Sequence, residues 1–205
     1  MPKVGETDLD VLKRDAFMFL IFENSMNISE ETLTILNREM LDFIRSIFEV
    51  QNNTDMQVKI IAMEFNDKCW IKCGPVYLNE FSAFEIKPSD KAPDFGNMLY
   101  VLNSVMKALY KRSFTKWSFY APIFIFVTAG PKDKEYLSAL DPLSANRIYK
   151  YGTKIAVAVE DGDNIESIAD IVGSAEAVIT KDNIKMFSQL LRFNDILVDS
   201  FPDWD

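Results

Sequence analysis

The sequence predicts an α/β fold: a doubly wound, mostly parallel sheet with helices on both faces and one antiparallel edge strand. Three observations lead there. Short, almost wholly apolar runs recur, Ala16–Phe22 and Ala121–Val127 being the longest, as expected of strands covered on both faces. Between such runs lie segments whose apolar residues return every three or four positions, the period of a helix with one buried stripe. Finally, two strand-like runs are separated only by Asn66-Asp67, a hairpin turn that places an antiparallel strand at the sheet edge. Strands alternating with helices then require right-handed crossovers.

Each element follows in order. Asp15–Phe22 is the first strand. Ser29-Glu30-Glu31-Thr32 opens a helix with a hydroxyl cap and acids in the first turn, where the helix dipole favours negative charge. Leu33, Leu36, Met40, Phe43, Ile44 and Ile47 carry its apolar face as far as Val50, and Gln51–Asp55 is a polar turn. Met56–Phe65 is the second strand and Lys68–Gly74 its hairpin partner. Val76–Asp94 has no clear period and contains Pro88 and Pro93, just after Pro75. It reads as a long loop, and loops of that length are commonly functional. Phe95–Tyr110 is a helix facing the core with Met98, Leu99, Leu102, Val105, Met106 and Leu109. Ile123–Val127 is the third parallel strand, ending in Thr128-Ala129-Gly130-Pro131. A helix over Lys134–Lys150, interrupted at Pro142, leads to a strand at Lys154–Val159, a turn at Glu160–Asn164 and a short helix at Ile165–Val172. Ala177–Ile179 is the last strand and Asp182–Phe193 the last helix. A length of 205 residues suits one domain over 1–205, with its core at about 15–200.

Composition removes several function classes. The chain has no histidine, which takes away the commonest general base and zinc ligand and excludes Ser-His and Cys-His nucleophile pairs. Its net charge of −9 opposes nucleic acid and anionic lipid, and Lys107, Lys111, Arg112 and Lys116 read as a solvated helix end. No Gly-x-Gly-x-x-Gly or Walker-type loop occurs, and Glu23 after the first strand would repel a phosphate. The longest apolar runs fall well short of the roughly 18 residues of a membrane span, and Met1–Glu6 leads into no signal-peptide core, so a cytoplasmic location is expected. Cys69 and Cys73, four apart on a strand, should share one face roughly 13 Å apart, too far to bridge. The aromatics of Lys116–Tyr120 read as a cover over the sheet edge, and the tail Asp199–Asp205 as packed on its own domain or frayed.

The first strand ends abruptly in Glu23-Asn24-Ser25-Met26-Asn27, with oxygen-bearing side chains at alternate positions and a helix start just beyond. Open α/β sheets bind ligands at such carboxyl strand ends. A carboxylate there could simply accept bonds from backbone N–H groups. Taken with Leu36-Asn37, the hairpin, the long loop, the helix around Gly96 and Val127-Thr128-Ala129-Gly130, the order resembles a von Willebrand factor A-type (vWA) domain over about Asp15–Ser200. It is most similar to the bacterial YegL/TerY-like group associated with tellurium-resistance and stress operons.

That resemblance implies a Rossmann-like fold and a metal-ion-dependent adhesion site built from Asp-x-Ser-x-Ser, a Thr before the second long helix, and Thr-Asp-Gly. Here Glu23 replaces the Asp, Ser25 stays and Asn27 replaces the second Ser. The Thr position falls near Ala92 or Pro93 with Asp94 the nearest oxygen ligand, and the second Asp is Ala129. Magnesium needs near-octahedral oxygen geometry at about 2.1 Å, so mis-sized and missing ligands weigh heavily. The expectation is therefore a degenerate site with no metal and no cofactor, in a non-enzymatic protein-binding module of a bacterial stress or signalling system. Its binding surface would be Glu23, Asn24, Ser25, Asn27, Asp94 and Thr128, within loops Glu23–Asn27, Pro88–Asp94 and Thr128–Asp133, and its partners proteins rather than nucleic acid or membrane. The alternative is a Mg- or Mn-dependent binder, held directly by Ser25, Asn27 and Asp94 and through water by Glu23. An enzyme or nucleotide binder on the same topology lacks both a histidine and a phosphate loop.

Overall fold

A computed structural model describes residues 14–52, 54–113, 120–160 and 164–180. The last helix expected at Asp182–Phe193, the aromatics before Tyr120 and the tail lie outside the described residues.

The elements run β1 (Arg14–Glu23), α1 (Glu30–Asn52), β2 (Met56–Phe65), β3 (Cys69–Tyr77), α2 (Phe95–Ser113), β4 (Ile123–Thr128), α3 (Leu137–Ser144), α4 (Arg147–Tyr151), β5 (Thr153–Ala158), α5 (Ile165–Val172) and β6 (Val178–Ile179). The described strands form one sheet in the order β3-β2-β1-β4-β5-β6. Every neighbouring pair is parallel except β2 with β3, as the hairpin at Asn66-Asp67 requires.

β1 is central because its sequence is apolar on both faces. Met18, Leu20 and Phe22 meet Leu33, Leu36, Met40 and Phe43 of α1 in one core layer. Phe17, Phe19 and Ile21 meet residues of α2, α3, α4 and α5 in the other, where Phe19 stacks on Phe124 with ring centroids 4.7 Å apart. At the amino edge Arg14 Nε donates to Asp55 at 2.8 Å, and the buried Tyr120 hydroxyl donates to the same carboxylate.

Three expectations change in detail. The helix foreseen over Lys134–Lys150 is two helices, broken at Ala145–Asn146, where the Asn146 side chain accepts the Ile148 N–H at 3.0 Å and caps α4. Pro142 sits inside α3 and is not the break. The stretch after Pro75 extends β3 to Tyr77, and the loop beyond it is fixed by buried Leu78 and Ile86. Asn37 of α1 bonds both backbone groups of Ile86, at 2.8 and 3.0 Å. Finally, Cys69 and Cys73 do not share a face. Cys73 is registered with Ala62 and packs against the α1 layer, whereas Ile71 and Cys69 follow Met63 and Phe65 and Cys69 packs against the α2 layer. One extra residue at this bulge flips the side-chain alternation. Both thiols are free, and burial pushes Cys69 up to about 12.

Among the described residues no helix is long and apolar enough to cross a membrane.

Candidate functional site

β1 delivers Glu23 to the carboxyl end of the sheet beside the turn that follows β4, and the side chain is 0% exposed there. Both carboxylate oxygens accept hydrogen bonds. The Ser25 hydroxyl donates to Oε1, while the Thr128 hydroxyl donates to Oε2 at 2.6 Å and the Ala129 N–H to the same oxygen at 3.0 Å. The hydroxyl oxygens are used in turn: Ser25 Oγ accepts the Asn27 N–H at 3.1 Å and Thr128 Oγ1 accepts the Gly130 N–H at 2.9 Å. The result is a closed cage in which a longer carboxylate reaches across from β1 to the β4 turn.

The turn itself depends on Gly130. Its φ is +84°, and a Cβ there would lie 2.8 Å from both Asn164 Cβ and Ile168 Cγ1 of the α5 region. Asn164 Nδ2 fastens the same turn by donating to the Ala129 carbonyl at 3.1 Å. Burial pushes the Glu23 carboxyl above the ordinary glutamate value; the donors from Ser25, Thr128 and Ala129 and the charge of Lys132 pull the other way without cancelling it.

The residues singled out from sequence are therefore divided. Glu23, Ser25 and Thr128 come together in the cage. Asn27 stands at its rim, with Lys132 Nζ donating to its Oδ1 at 2.8 Å. Asp94 is exposed at the start of α2, where its Oδ1 accepts the Asn97 N–H at 2.8 Å. Asn24 turns the opposite way and donates through Nδ2 to Glu64 at 2.5 Å. Sequence reasoning passes over Glu64 and Lys132. For Glu64 a signal is present: it is a lone carboxylate near the end of a strand that is otherwise apolar on the inward positions.

Beside the cage runs a groove of about 960 Å³ between the β1–α1 loop, α2 and α3, lined among others by Met26, Asp94, Tyr100, Lys132, Tyr136 and Pro142. Met26 and Tyr100 are largely exposed on its walls.

The donor set does not fit a divalent ion. A cation at this point needs lone pairs, yet the Ser25 and Thr128 hydroxyls are already fixed by donating to Glu23 and each spends one of its two lone pairs on a backbone N–H group. Asn27 Oδ1 faces an ammonium, Asp94 Oδ1 holds a helix start, and Ala129 has no side-chain oxygen.

No protein-family model matches the chain, and no curated protein matches its sequence. Solved structures do match in fold. Proximal thread matrix protein 1 from the mussel byssus aligns at 13% identity and a TM-score of 0.57, over 88% of this chain and 46% of that one. Another structure of it, with a zinc-occupied MIDAS motif, aligns at 14% identity and a TM-score of 0.56, over 92% and 46%. A von Willebrand factor type A protein from Catenulispora acidiphila aligns at 8% identity and a TM-score of 0.60, over 87% and 42%. The pilus adhesin SpaC from Lactobacillus rhamnosus GG, in its open conformation, aligns at 9% identity and a TM-score of 0.63, over 90% and 30%. The chain spans less than half the length of each of these proteins. Sheet order, the single antiparallel edge strand and these alignments together establish that the chain has the von Willebrand factor A-type α/β fold.

Proposed function

We propose that this chain is a non-enzymatic protein-interaction module whose adhesion site works without a metal ion. The observation that carries this reading is the Glu23 cage. In a vWA fold the carboxyl end of β1 is the position of the adhesion site, and here the oxygens at that place are satisfied by one another. The matrix protein and the pilus adhesin among the solved structures support a binding role rather than catalysis. So does the absence of histidine, together with a groove bordered by exposed Met26 and Tyr100, which suits a polypeptide better than a small substrate. Recognition would use the loops Glu23–Asn27, Pro88–Asp94 and Thr128–Asp133, which crown the same end of the sheet.

The finer parts of the reading rest on the resemblance to the YegL/TerY-like group: a degenerate version of the adhesion site, a cytoplasmic location, and protein partners within a bacterial tellurium-resistance or stress-response system. A pull-down from native bacterial extract tests the proposal when run with magnesium and with chelator, on wild type and on a Met26→Ala/Tyr100→Ala variant. Specific capture that survives chelator and is lost in the variant is the expected result. Capture that needs magnesium or manganese would favour the ion-dependent alternative through Ser25, Asn27, Asp94 and Glu23. Capture unchanged in the groove variant would remove the surface assigned here.

A further inference from the structure

On the α1 side of the sheet, across from the cage, lies a second polar cluster. Asn24 is 7% exposed and Glu64 5% exposed, so both polar groups are taken almost wholly out of water. Their shared contact satisfies only half of them. Asn24 Nδ2 donates to Glu64 Oε1 at 2.5 Å and reaches the Lys87 carbonyl at 3.4 Å, which leaves Asn24 Oδ1 with no donor among the described residues. Glu64 Oε2 has one counter-charge, Lys72 Nζ at 2.6 Å, and no further hydrogen-bond donor among the described residues. One buried acceptor, Asn24 Oδ1, thus lacks a donor, and its neighbour Glu64 Oε2 depends on a single half-exposed lysine, whereas buried acceptors are normally paired.

Both line an open pocket of about 510 Å³ whose other walls are Asn66, Trp70, Ile71 and Lys72. Trp70 is the cross-strand partner of Glu64 and is 42% exposed, so part of its surface stays open beside the carboxylate. Lys72 is a poor permanent lid. It is the extra residue at the β3 bulge, its side chain is 38% exposed, and its stem starts from the sheet edge.

We propose that this pocket is a binding site for the guanidinium of an arginine side chain on a basic partner segment. The chemistry selects the group. Two neighbouring acceptors, Asn24 Oδ1 without a donor and Glu64 Oε2 held by Lys72 alone, match a planar fork of N–H donors, whereas an ammonium offers only the point charge that Lys72 already supplies. A partly exposed indole beside the acceptors suits a guanidinium, which stacks on aromatic rings. The chain's net charge of −9 draws a basic segment and repels an acidic one. On binding, Lys72 swings into solvent and the arginine replaces it at Glu64 while also donating to Asn24 Oδ1. This site does not depend on the state of the Glu23 cage, which faces the other way.

The test is a titration of the full chain with a short blocked peptide bearing one arginine, and with its lysine and citrulline counterparts. It is followed by NMR at the Asn24 side-chain amide and the Trp70 indole N–H, the latter assigned from a Trp70→Phe spectrum. Saturable shifts of both groups are expected with the arginine peptide, about tenfold weaker binding with lysine, and none with citrulline. Trp70→Ala, an exposed change, and Glu64→Gln should each weaken arginine binding by about tenfold with the rest of the spectrum intact. Unmoved resonances at millimolar arginine peptide would overturn the assignment, leaving a solvated corner. So would lysine binding as tightly as arginine, or full binding by the Trp70→Ala protein.

Discussion

Two buried glutamates end neighbouring strands, and they have opposite surroundings. Glu23, on β1, meets three neutral donors, and its hydroxyl partners are satisfied in turn. Glu64, on β2 and in register with Phe22, meets one amide and one half-exposed lysine, and the Asn24 Oδ1 beside it has no donor among the described residues. The residue type is the same and the burial nearly so. What differs is the donor supply: the β4 turn brings hydroxyl and backbone N–H groups to Glu23, while the edge hairpin brings Glu64 only a half-exposed cation. A buried carboxylate with a complete set of donors is a structural joint. One with an incomplete set is a place where something else can bind.

The contrast can be broken first at the joint. Glu23→Ala strips the acceptor from three buried donors and should cost about 2–4 kcal/mol of stability by urea denaturation. A loss below about 1 kcal/mol would mean that the cage holds nothing together. Gly130→Ala comes next, at about 2–3 kcal/mol, because a left-handed φ and close contact with Asn164 and Ile168 act on the same turn. Glu64→Met should cost about 1–2 kcal/mol in the same assay, because it leaves the buried Asn24 amide with only the Lys87 carbonyl at 3.4 Å while Lys72 can turn to solvent. If Glu64→Met proves as damaging as Glu23→Ala, the two sites are alike and the distinction fails.

The smallest expected effect is a pH slope. Burial raises the Glu23 carboxyl in the folded protein, so over the window between the ordinary glutamate value and the raised one the native state holds more protons than the unfolded state. Stability should therefore be greatest below the ordinary value, fall as pH rises through that window, and level off above it. Glu23→Gln has no such titration and should flatten the profile, which a series of thermal melts across acid to neutral pH would record.

Much of the architecture is legible in the amino-acid sequence. The unbroken apolar run of Phe17–Phe22 suits only a strand covered on both sides, and Asn66-Asp67 between two strand-like runs suits only a tight turn at an edge. Glu23, Ser25 and Thr128 are legible too, because oxygen-bearing residues after buried strands converge at one end of a parallel sheet. Other features have no local signature. The bulge at Lys72 is a matter of register between strands, so its reversal of Cys69 and Cys73 is invisible in either strand alone. The break before Asn146 comes from a side-chain cap that competes with a continuous helix, and Pro142 is the more conspicuous but wrong suspect. That Asn24 and Glu23 part to opposite faces follows from strand alternation. That Asn24 then finds Glu64 does not, because it depends on the parallel register of β1 with β2.

The central claim, that Glu23 has taken over the place of an ion and saturated its own ligands, is tested most directly by calorimetric titration of the full chain with Mg²⁺ and Mn²⁺, with the shift in Tm read alongside. No saturable heat and no rise in Tm are expected at millimolar metal, in wild type and in Lys132→Ala alike. Saturable binding that raises Tm in the wild type, and disappears in Ser25→Ala, would contradict it.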